Sequence, residues 1–334
     1  MGAGVSSLGA RCACAAAVAA AGCCWMAARS LARRGSRADR ALVVLTGCDS
    51  GLGFSLALRA LARGAVVLAA CLDERGPGAA RLRQAGATVA PLDVTDGDSV
   101  QRLARRAADL VRDDPGLELI ALVNNAGVMV FGEFEWQTER LIRHQVEVNL
   151  LGTMRVTKAF CPLIRQHKGR IVTVTSHCAS QSLPGLAVYG ATKAALEGWC
   201  DGLRVEQSKY GVKVITLVPG YFMMNSNLMA RHHDHVAEMQ QAMSAEDRGF
   251  FGDYFGRFHA ALGVFAVRRE PASIQDERLH RMFEAAVLSP APAARYRNSP
   301  LRYSVYHWLF ALAPTCVRDR LMERFMSMPE WHAA

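Results

Sequence analysis

The sequence lacks the cysteine pattern that would indicate a zinc site or a disulfide framework. None of its 10 cysteines forms a C-x-x-C pair. Four lie within the first 24 residues, and the other six are spread singly over the rest of the chain. Structural zinc needs clustered ligands, and a disulfide scaffold needs densely spaced cysteines. We therefore expect no metal, and a chain that folds with reduced thiols in a reducing compartment.

Aromatic residues are few, and charged residues are moderate in number. They make up 7% and 21% of the 334 residues, whereas 51% are hydrophobic. This composition excludes a disordered or fibrous chain. The length suits one large α/β domain with additions, for which we expect residues 41–300.

Acidic residues are nearly missing from the first 40 residues. This segment holds six arginines and one acid, Asp39, so it carries +5 of the formal net charge of +9. Because the excess charge is concentrated in the leader, nucleic-acid binding is not expected. A basic flank to a membrane segment explains the charge better.

Three interpretations of this leader, residues 1–40, stay open. Residues 12–28 are 17 uncharged, mostly small residues flanked by arginines, as in a membrane anchor. The scarcity of acids also suits a mitochondrial presequence. The start Met-Gly-Ala-Gly-Val-Ser matches the myristoylation pattern. We expect association with a membrane, that of the endoplasmic reticulum, with the mitochondrion as the alternative.

A glycine-rich turn follows the first predicted strand, residues 41–45. It reads Thr-Gly-Cys-Asp-Ser-Gly-Leu-Gly at 46–53 and opens a helical pattern, an arrangement that presents backbone N–H groups to a pyrophosphate. A second strand at 66–72 ends at Asp73, about 20 residues on, where a carboxylate reaches the ribose hydroxyls and repels a 2′-phosphate. This favours NAD over NADP, with Arg75 as the counter-argument.

Further predicted strands also end in polar or turn residues. Asp93 and Val94 follow the strand at 88–92, where a polar group could hold the adenine amino group. Asn-Asn-Ala-Gly at 124–127 follows the fourth strand, Ser176 the fifth, and Pro-Gly at 219–220 the sixth. In open parallel sheets, ligands bind at the carboxyl ends of the strands.

The stretch from Ser176 to Lys193 combines a hydroxyl, a phenol and an ammonium. If the segment after Pro184 is helical, Tyr189 and Lys193 lie on one helix face, one turn apart. A cation beside the phenol favours the phenolate and should lower the pKa of Tyr189 from ~10 towards neutrality. Tyr189 is therefore a candidate for proton transfer.

In their order and spacing, these motifs resemble the short-chain dehydrogenases/reductases over about residues 41–225. The resemblance is to the membrane-associated branch that contains type 2 hydroxysteroid dehydrogenases, retinol dehydrogenases and mitochondrial 3-hydroxybutyrate dehydrogenase. It implies a Rossmann-type, doubly wound parallel sheet flanked by helices in a single α/β domain, with an N-terminal leader and a helical C-terminal extension. It also implies a homodimer or homotetramer.

The resemblance implies a role for each motif residue. Tyr189 is the general acid/base, and Lys193 lowers its pKa and holds the nicotinamide ribose. Ser176 bonds the substrate oxygen, and Asn149 orders a water relay to Lys193. Many relatives have a threonine after the Pro-Gly pair, and here Ser226 or Asn225 is expected to take over its cofactor contact. The implied cofactor contacts are Gly47, Asp49, Ser50, Gly51, Leu52, Gly53, Asp73, Asp93, Val94, Asn125, Ala126, Gly127, Tyr189, Lys193, Pro219, Gly220 and Ser226. The implied substrate contacts are Ser176, His177, Tyr189 and Phe222.

The residues after Gly220 should choose the substrate. Residues 221–269 are rich in methionine and aromatics, which indicates either a flexible apolar lid or ordinary helix packing. His-His-Asp-His at 232–235 is interpreted as a solvated helix face rather than a metal site. Residues 301–334 are interpreted as a helical tail that lies at a membrane surface or packs in a dimer.

We therefore predict an NAD-dependent oxidoreductase for a lipophilic secondary or allylic alcohol of the hydroxysteroid or retinol type. One alternative is a D-3-hydroxybutyrate dehydrogenase. A small acid would demand a buried cation near Ser176, and the sequence offers no compelling lysine or arginine there. The second alternative is a catalytically silent scaffold that binds nucleotide or lipid at a membrane.

Overall fold

The computed structural model describes residues 40–222, 226–299, 312–326 and 328–332, together with Val305 and Leu309. The predicted leader and most of the segment 300–311 lie outside these residues.

The described chain forms one seven-stranded sheet in which every pair of neighbouring strands is parallel. The order across the sheet is β3-β2-β1-β4-β5-β6-β7. The predicted doubly wound parallel sheet is confirmed. The strands are β1 (Ala41–Thr46), β2 (Val66–Cys71), β3 (Thr88–Pro91), β4 (Glu118–Asn124), β5 (Arg170–Val174), β6 (Lys213–Val218) and β7 (Arg295–Arg297).

Helices cover both faces of this sheet and extend beyond its edge. The chain also forms a π-helix, Glu147–Gly152. The α-helices of the described residues are α1 (Gly51–Ala62), α2 (Pro77–Gln84), α3 (Gly97–Asp113), α4 (Glu139–Val146), α5 (Thr153–Gln166), α6 (Ala187–Ser208), α7 (His232–Ala242), α8 (Ala245–Phe251), α9 (Tyr254–Leu262), α10 (Glu277–Leu288) and α11 (Thr315–Met326).

The central strands are apolar along their whole length because both of their faces are covered. Every residue of β1 is buried, and its side chains alternate between two hydrophobic cores. Val43 belongs to the core that includes Phe54 of α1 and Phe283 of α10. Val44 belongs to the core that includes Phe160 of α5. Such continuous apolar runs are typical of parallel strands between two helical layers.

Strand β7 is the element that the sequence does not predict. It is Arg-Tyr-Arg, three residues without apolar alternation, and it is parallel to β6. An exposed edge strand carries unpaired backbone groups, and β7 satisfies those of β6. In the described part of the chain, no helix is both long enough and apolar enough to cross a membrane.

Candidate active site

The predicted motifs lie together at one edge of the sheet. The glycine-rich turn follows β1, Asp73 follows β2, Asn125 follows β4, Ser176 follows β5 and Pro219 follows β6. Because all these strands are parallel, their carboxyl ends meet at that edge.

The glycine-rich turn is tied to the end of β4 by side-chain hydrogen bonds. The Nδ2 atom of Asn125 donates to the carbonyl oxygens of Thr46 (2.9 Å) and Gly47 (3.0 Å). The buried Thr46 hydroxyl accepts from the backbone N–H groups of Asn125 and Ala126, at 3.0 Å each. Thr46 is absent from the predicted contacts, although its place at the head of the glycine motif is a signal for it.

Two glycines make the turn possible. Gly47 has a φ of +69°, which favours glycine. Gly53 has no room for a side chain, since a Cβ atom there would lie 2.2 Å from the Gly47 oxygen and 2.5 Å from Asn125 Nδ2. No side chain caps α1 at Ser50, so its first N–H groups are available to a phosphate. Leu52 packs against the core.

Acidic side chains lie at the end of this edge where the ribose and adenine contacts are predicted. The Asp49 carboxylate accepts from the backbone N–H groups of Leu72 (3.0 Å) and Asp73 (2.8 Å), so it fixes the turn to the end of β2. Asp73 is exposed, and one of its oxygens accepts from the Arg75 N–H at 3.0 Å. Asp93 is also exposed and accepts two hydrogen bonds from Thr95.

Helix α6 brings Tyr189 and Lys193 together, as predicted from their spacing. Both are buried, and the Lys193 Nζ atom lies 5.8 Å from the centre of the Tyr189 ring. Lys193 Nζ donates to the carbonyl oxygen of Val174, the last residue of β5, at 3.2 Å. Ser176 follows two residues later, and its Oγ accepts from the Cys178 N–H at 3.2 Å.

Asn149 is held in a fixed orientation on the π-helix. Its Oδ1 atom accepts from the Val128 N–H at 2.8 Å, and its Nδ2 atom donates to the Val128 oxygen at 2.9 Å. Nδ2 also donates to the hydroxyl of Thr192 at 3.1 Å. Gly127 lies beside both groups, since a Cβ atom there would be 3.2 Å from Asn149 Oδ1 and 3.6 Å from Lys193 Nζ. Thr192 is a residue that the sequence reasoning missed, although it precedes Lys193 directly.

The expected lowering of the Tyr189 pKa is wrong for the protein without nucleotide. Burial raises the pKa of Tyr189, and the hydrogen bond with Ser176 offsets only part of this effect. Burial also lowers the pKa of Lys193 to about 8. Both shifts have the same cause, because a buried site disfavours the charged form of either group.

The remaining predicted contacts lie around the ends of β6 and β7. Gly220 has a φ of +109°, and a Cβ atom there would lie 2.9 Å from the Asn298 oxygen and 3.5 Å from the Phe222 ring. His177 points towards this side, with its Nε2 atom 3.5 Å from the Ser299 hydroxyl. Ser226 is half-buried.

Helices α7 to α9 pack over the edge as one apolar cluster that includes Tyr189. The Trp136 ring lies at its centre, 5.0 Å from the ring of Phe258.

The predicted solvated face is wrong for His232 and His235, which are buried. The His232 ring packs 5.2 Å from that of His259, and burial lowers the pKa of His232 to about 4. Within the described ranges, no group of three or more ligating side chains could hold a metal.

Comparisons with known proteins agree with this geometry. The profile of the family described as short chain dehydrogenase matches residues 41–235. Estradiol 17-beta-dehydrogenase 2 of Mus musculus is 39% identical over 294 residues, which cover 86% of this chain and 75% of that protein. Retinol dehydrogenase 16 of Mus musculus is 37% identical over 294 residues, which cover 86% and 89%.

A further relative and a solved structure complete the comparison. Mitochondrial D-beta-hydroxybutyrate dehydrogenase of Rattus norvegicus is 38% identical over 204 residues, so the chain matches only 58% of that protein's length. A short-chain dehydrogenase from Streptomyces avermitilis has a TM-score of 0.59 and 26% identity, covering 86% of this chain and 97% of that one. The close backbone approach at Gly53 and the open start of α1 fit the nicotinamide dinucleotide that such enzymes use.

Replacing Gly53 with alanine should abolish most of the affinity for a dinucleotide. The new Cβ atom would collide with the Gly47 carbonyl and displace the turn, so we expect NAD affinity to fall at least about tenfold. Isothermal titration calorimetry measures this directly. Gly202→Ala on α6 is the control, since a Cβ atom there meets open space. A folded Gly53→Ala variant with wild-type affinity would contradict this account of the turn.

The buried lysine should make stability depend on pH in a defined direction. The folded protein releases the Lys193 proton near pH 8, whereas the unfolded chain keeps it until about pH 10.4. Between these pH values the unfolded state of the wild type binds more protons than the folded state. The free energy of unfolding of the wild type, relative to that of Lys193→Met, should therefore rise with pH. Urea unfolding of both proteins from pH 7 to 10, without nucleotide, measures the difference. A difference in unfolding free energy that stays constant across this range would refute the burial effect. Lys213→Met, at an exposed lysine, is the control for the loss of a lysine charge without burial.

Proposed function

The chain belongs to the short-chain dehydrogenase family, and from that premise we propose that it is an NAD-dependent oxidoreductase for a lipophilic secondary or allylic alcohol. The observation that carries this proposal is the assembly of Ser176, Tyr189, Lys193 and Asn149 beside the glycine-rich turn. A dinucleotide laid along this edge would bring its nicotinamide to the buried phenol.

Each of these groups has a chemical task that its position supports. When bound, the oxidised nicotinamide supplies the acceptor for the hydride that leaves the carbinol carbon. Ser176 holds the substrate oxygen, and Tyr189 takes the hydroxyl proton as that oxygen becomes a carbonyl. Lys193 stabilises the phenolate form that this transfer requires. Asn149 holds the Val128 backbone and Thr192 in place next to the lysine.

The charges of the site favour a neutral substrate. The buried lysines and arginines of the described chain are Lys193 and Arg170. Arg170 begins β5, at the opposite edge of the sheet, and donates to the carbonyl oxygens of Ala286 and Ser289. Among the described residues, a carboxylate substrate would therefore find no buried arginine or lysine near Ser176 other than Lys193, which already serves Tyr189.

The apolar cluster of α7 to α9 and the coverage of the sequence matches also favour a lipophilic substrate. The buried apolar and aromatic side chains of α7 to α9 belong to the same cluster as Tyr189, as suits a lipophilic substrate. The matches to estradiol and retinol dehydrogenases cover 86% of the chain and so extend beyond residues 41–235. The hydroxybutyrate dehydrogenase match covers 58%. Its 38% identity nevertheless makes D-3-hydroxybutyrate the second candidate substrate.

The preference for NAD over NADP is supported by Asp73. Its exposed carboxylate at the end of β2 would accept from ribose hydroxyls and repel a 2′-phosphate. The exposed guanidinium of Arg75, two residues on, is the counter-argument, because it could bind a 2′-phosphate.

An activity assay tests the proposal. Purified protein with NAD should form NADH from estradiol or retinol, more slowly with NADP, and Tyr189→Phe should reduce kcat by at least about 10²-fold because the proton acceptor is lost. D-3-hydroxybutyrate in the same panel tests the alternative. Formation of no NADH with any alcohol, or equal activity of Tyr189→Phe, would refute the catalytic assignment and favour a silent scaffold.

Self-association is supported by an apolar groove on the outer side of the site. It lies between α4, the π-helix and α6, and its exposed rim residue Phe134 is 62% accessible. A second copy of the chain would cover it, giving the proposed homodimer or homotetramer. We expect Phe134→Glu to lower the association state in sedimentation velocity, while Tyr210→Glu, at an exposed residue in the turn after α6 and outside the groove, does not. A monomeric wild type would contradict this proposal.

Membrane association would rest on the leader, residues 1–40, and on the tail. The endoplasmic reticulum suits the arginine-flanked apolar run, and the mitochondrion is the alternative. Fractionation of cells that express a leader-deleted chain tests this, since loss of the membrane-bound fraction would identify the leader as the anchor.

A further inference from the structure

Arg155 connects two parts of the site that are far apart in the sequence. It lies in the first turn of α5. Its Nη1 atom donates to the carbonyl oxygen of Val94 at 2.6 Å, and its Nη2 atom donates to Glu147 Oε1 at 2.6 Å. Both side chains are partly accessible, 31% for the arginine and 36% for the glutamate. One guanidinium therefore joins the loop after β3 to the start of the π-helix.

The bond to Glu147 spans the whole π-helix. Glu147 is its first residue, and Arg155 follows its last residue, Gly152, by three positions. A π-helix is rare and is found mostly as a single turn at functional sites. Within this turn the Thr153 hydroxyl donates to the Asn149 oxygen at 2.8 Å. The ion pair therefore fixes the ends of the segment that carries Asn149.

The bond to Val94 fixes the loop expected to contact adenine. Val94 is buried, and its side chain occupies the space that Gly152 leaves, since a Cβ atom at Gly152 would lie 2.7 Å from Val94 Cγ2. Arg155 holds the backbone of the same residue from the other side. The loop after β3 and the π-helix thus form one packed unit.

We propose that Arg155 is a positioning residue that couples the adenine end of the nucleotide site to Asn149 at the catalytic end. This inference rests on the proposed function. Nucleotide contacts at Asp93 and Val94 would stabilise the π-helix through Arg155, and a well-placed Asn149 would in turn favour nucleotide binding.

Lysine cannot replace this arginine fully. The guanidinium offers separate N–H groups in a fixed plane, and two of them reach different partners here. A lysine ammonium at the same position is a single centre on a flexible chain. We therefore expect Arg155→Lys to keep one of the two connections and to lie between wild type and Arg155→Met.

Two readouts, one at each end of the site, test the coupling. ADP lacks both the nicotinamide and its ribose, and it therefore reports on the adenine end alone. For Arg155→Met we expect its Kd to rise about tenfold. We also expect kcat at saturating NAD to fall about two- to thirtyfold. Arg155→Lys should recover part of both.

The control is Arg204→Met, because Arg204 makes the same kind of paired contact elsewhere. It donates to the Val214 oxygen at 3.1 Å and to Asp201 at 2.8 Å, near the start of β6 at the opposite edge of the sheet. If both variants lose stability but neither changes Kd or kcat per folded molecule, the role of Arg155 is only structural and the proposal fails. A raised Kd with an unchanged kcat would also overturn the coupling.

Hydrogen exchange separates this proposal from the proposed function. In wild type, ADP should slow amide exchange in residues 147–153, and in Arg155→Met this protection should be lost. That result would support the coupling even if no tested alcohol were oxidised. Exchange that ADP slows equally in both proteins would overturn it. If Arg155→Met does not fold, Arg155→Lys and Glu147→Gln answer the same question with milder changes.

Discussion

The burial of the Lys193 amine beside the Tyr189 phenol is the constraint on which the rest of the site depends. Neither group can be charged there at low cost, so burial lowers the pKa of the lysine to about 8 and raises that of the tyrosine. Among the residues that the structure describes, the ammonium donates a hydrogen bond to one carbonyl oxygen, that of Val174. A bound dinucleotide and an alcohol would complete the polar environment that this pair lacks, which explains why Tyr189 alone is not poised as a base.

A rigid frame holds this pair, and an apolar cluster covers it. The frame is made by β1, β4 and β5 and by side chains that bond to backbone, chiefly Asn125 on the glycine-rich turn and Asn149 on Val128. Such bonds fix the positions of groups without adding charge to the site. The cover is made by α7 to α9 around Trp136. The catalytic residues and the apolar cover thus come from different parts of the chain, as in other scaffolds whose loops vary around a fixed site.

The sequence predicts the frame well because each part of it has a local signal. Apolar runs mark the buried strands, and glycines mark the turn at Gly53. The spacing of four residues between Tyr189 and Lys193 predicts that the two side chains share one helix face. The errors share a different origin, since they depend on contacts between distant segments. The three residues of β7 form a strand only because β6 has a free edge. His232 is buried only because α9 brings His259 against it. Likewise, no pattern in the sequence reveals that Arg155 reaches Val94.

The most direct test of the central claim is to follow the hydride itself. An alcohol oxidised by the protein, prepared with deuterium on its carbinol carbon, should give NADH that carries one deuterium per turnover by mass spectrometry. Wild type should transfer the deuterium to NADH completely, and Tyr189→Phe should give no labelled NADH above background. Product formation in which deuterium appears in water rather than in NADH would contradict a direct transfer at the Tyr189–Lys193 site.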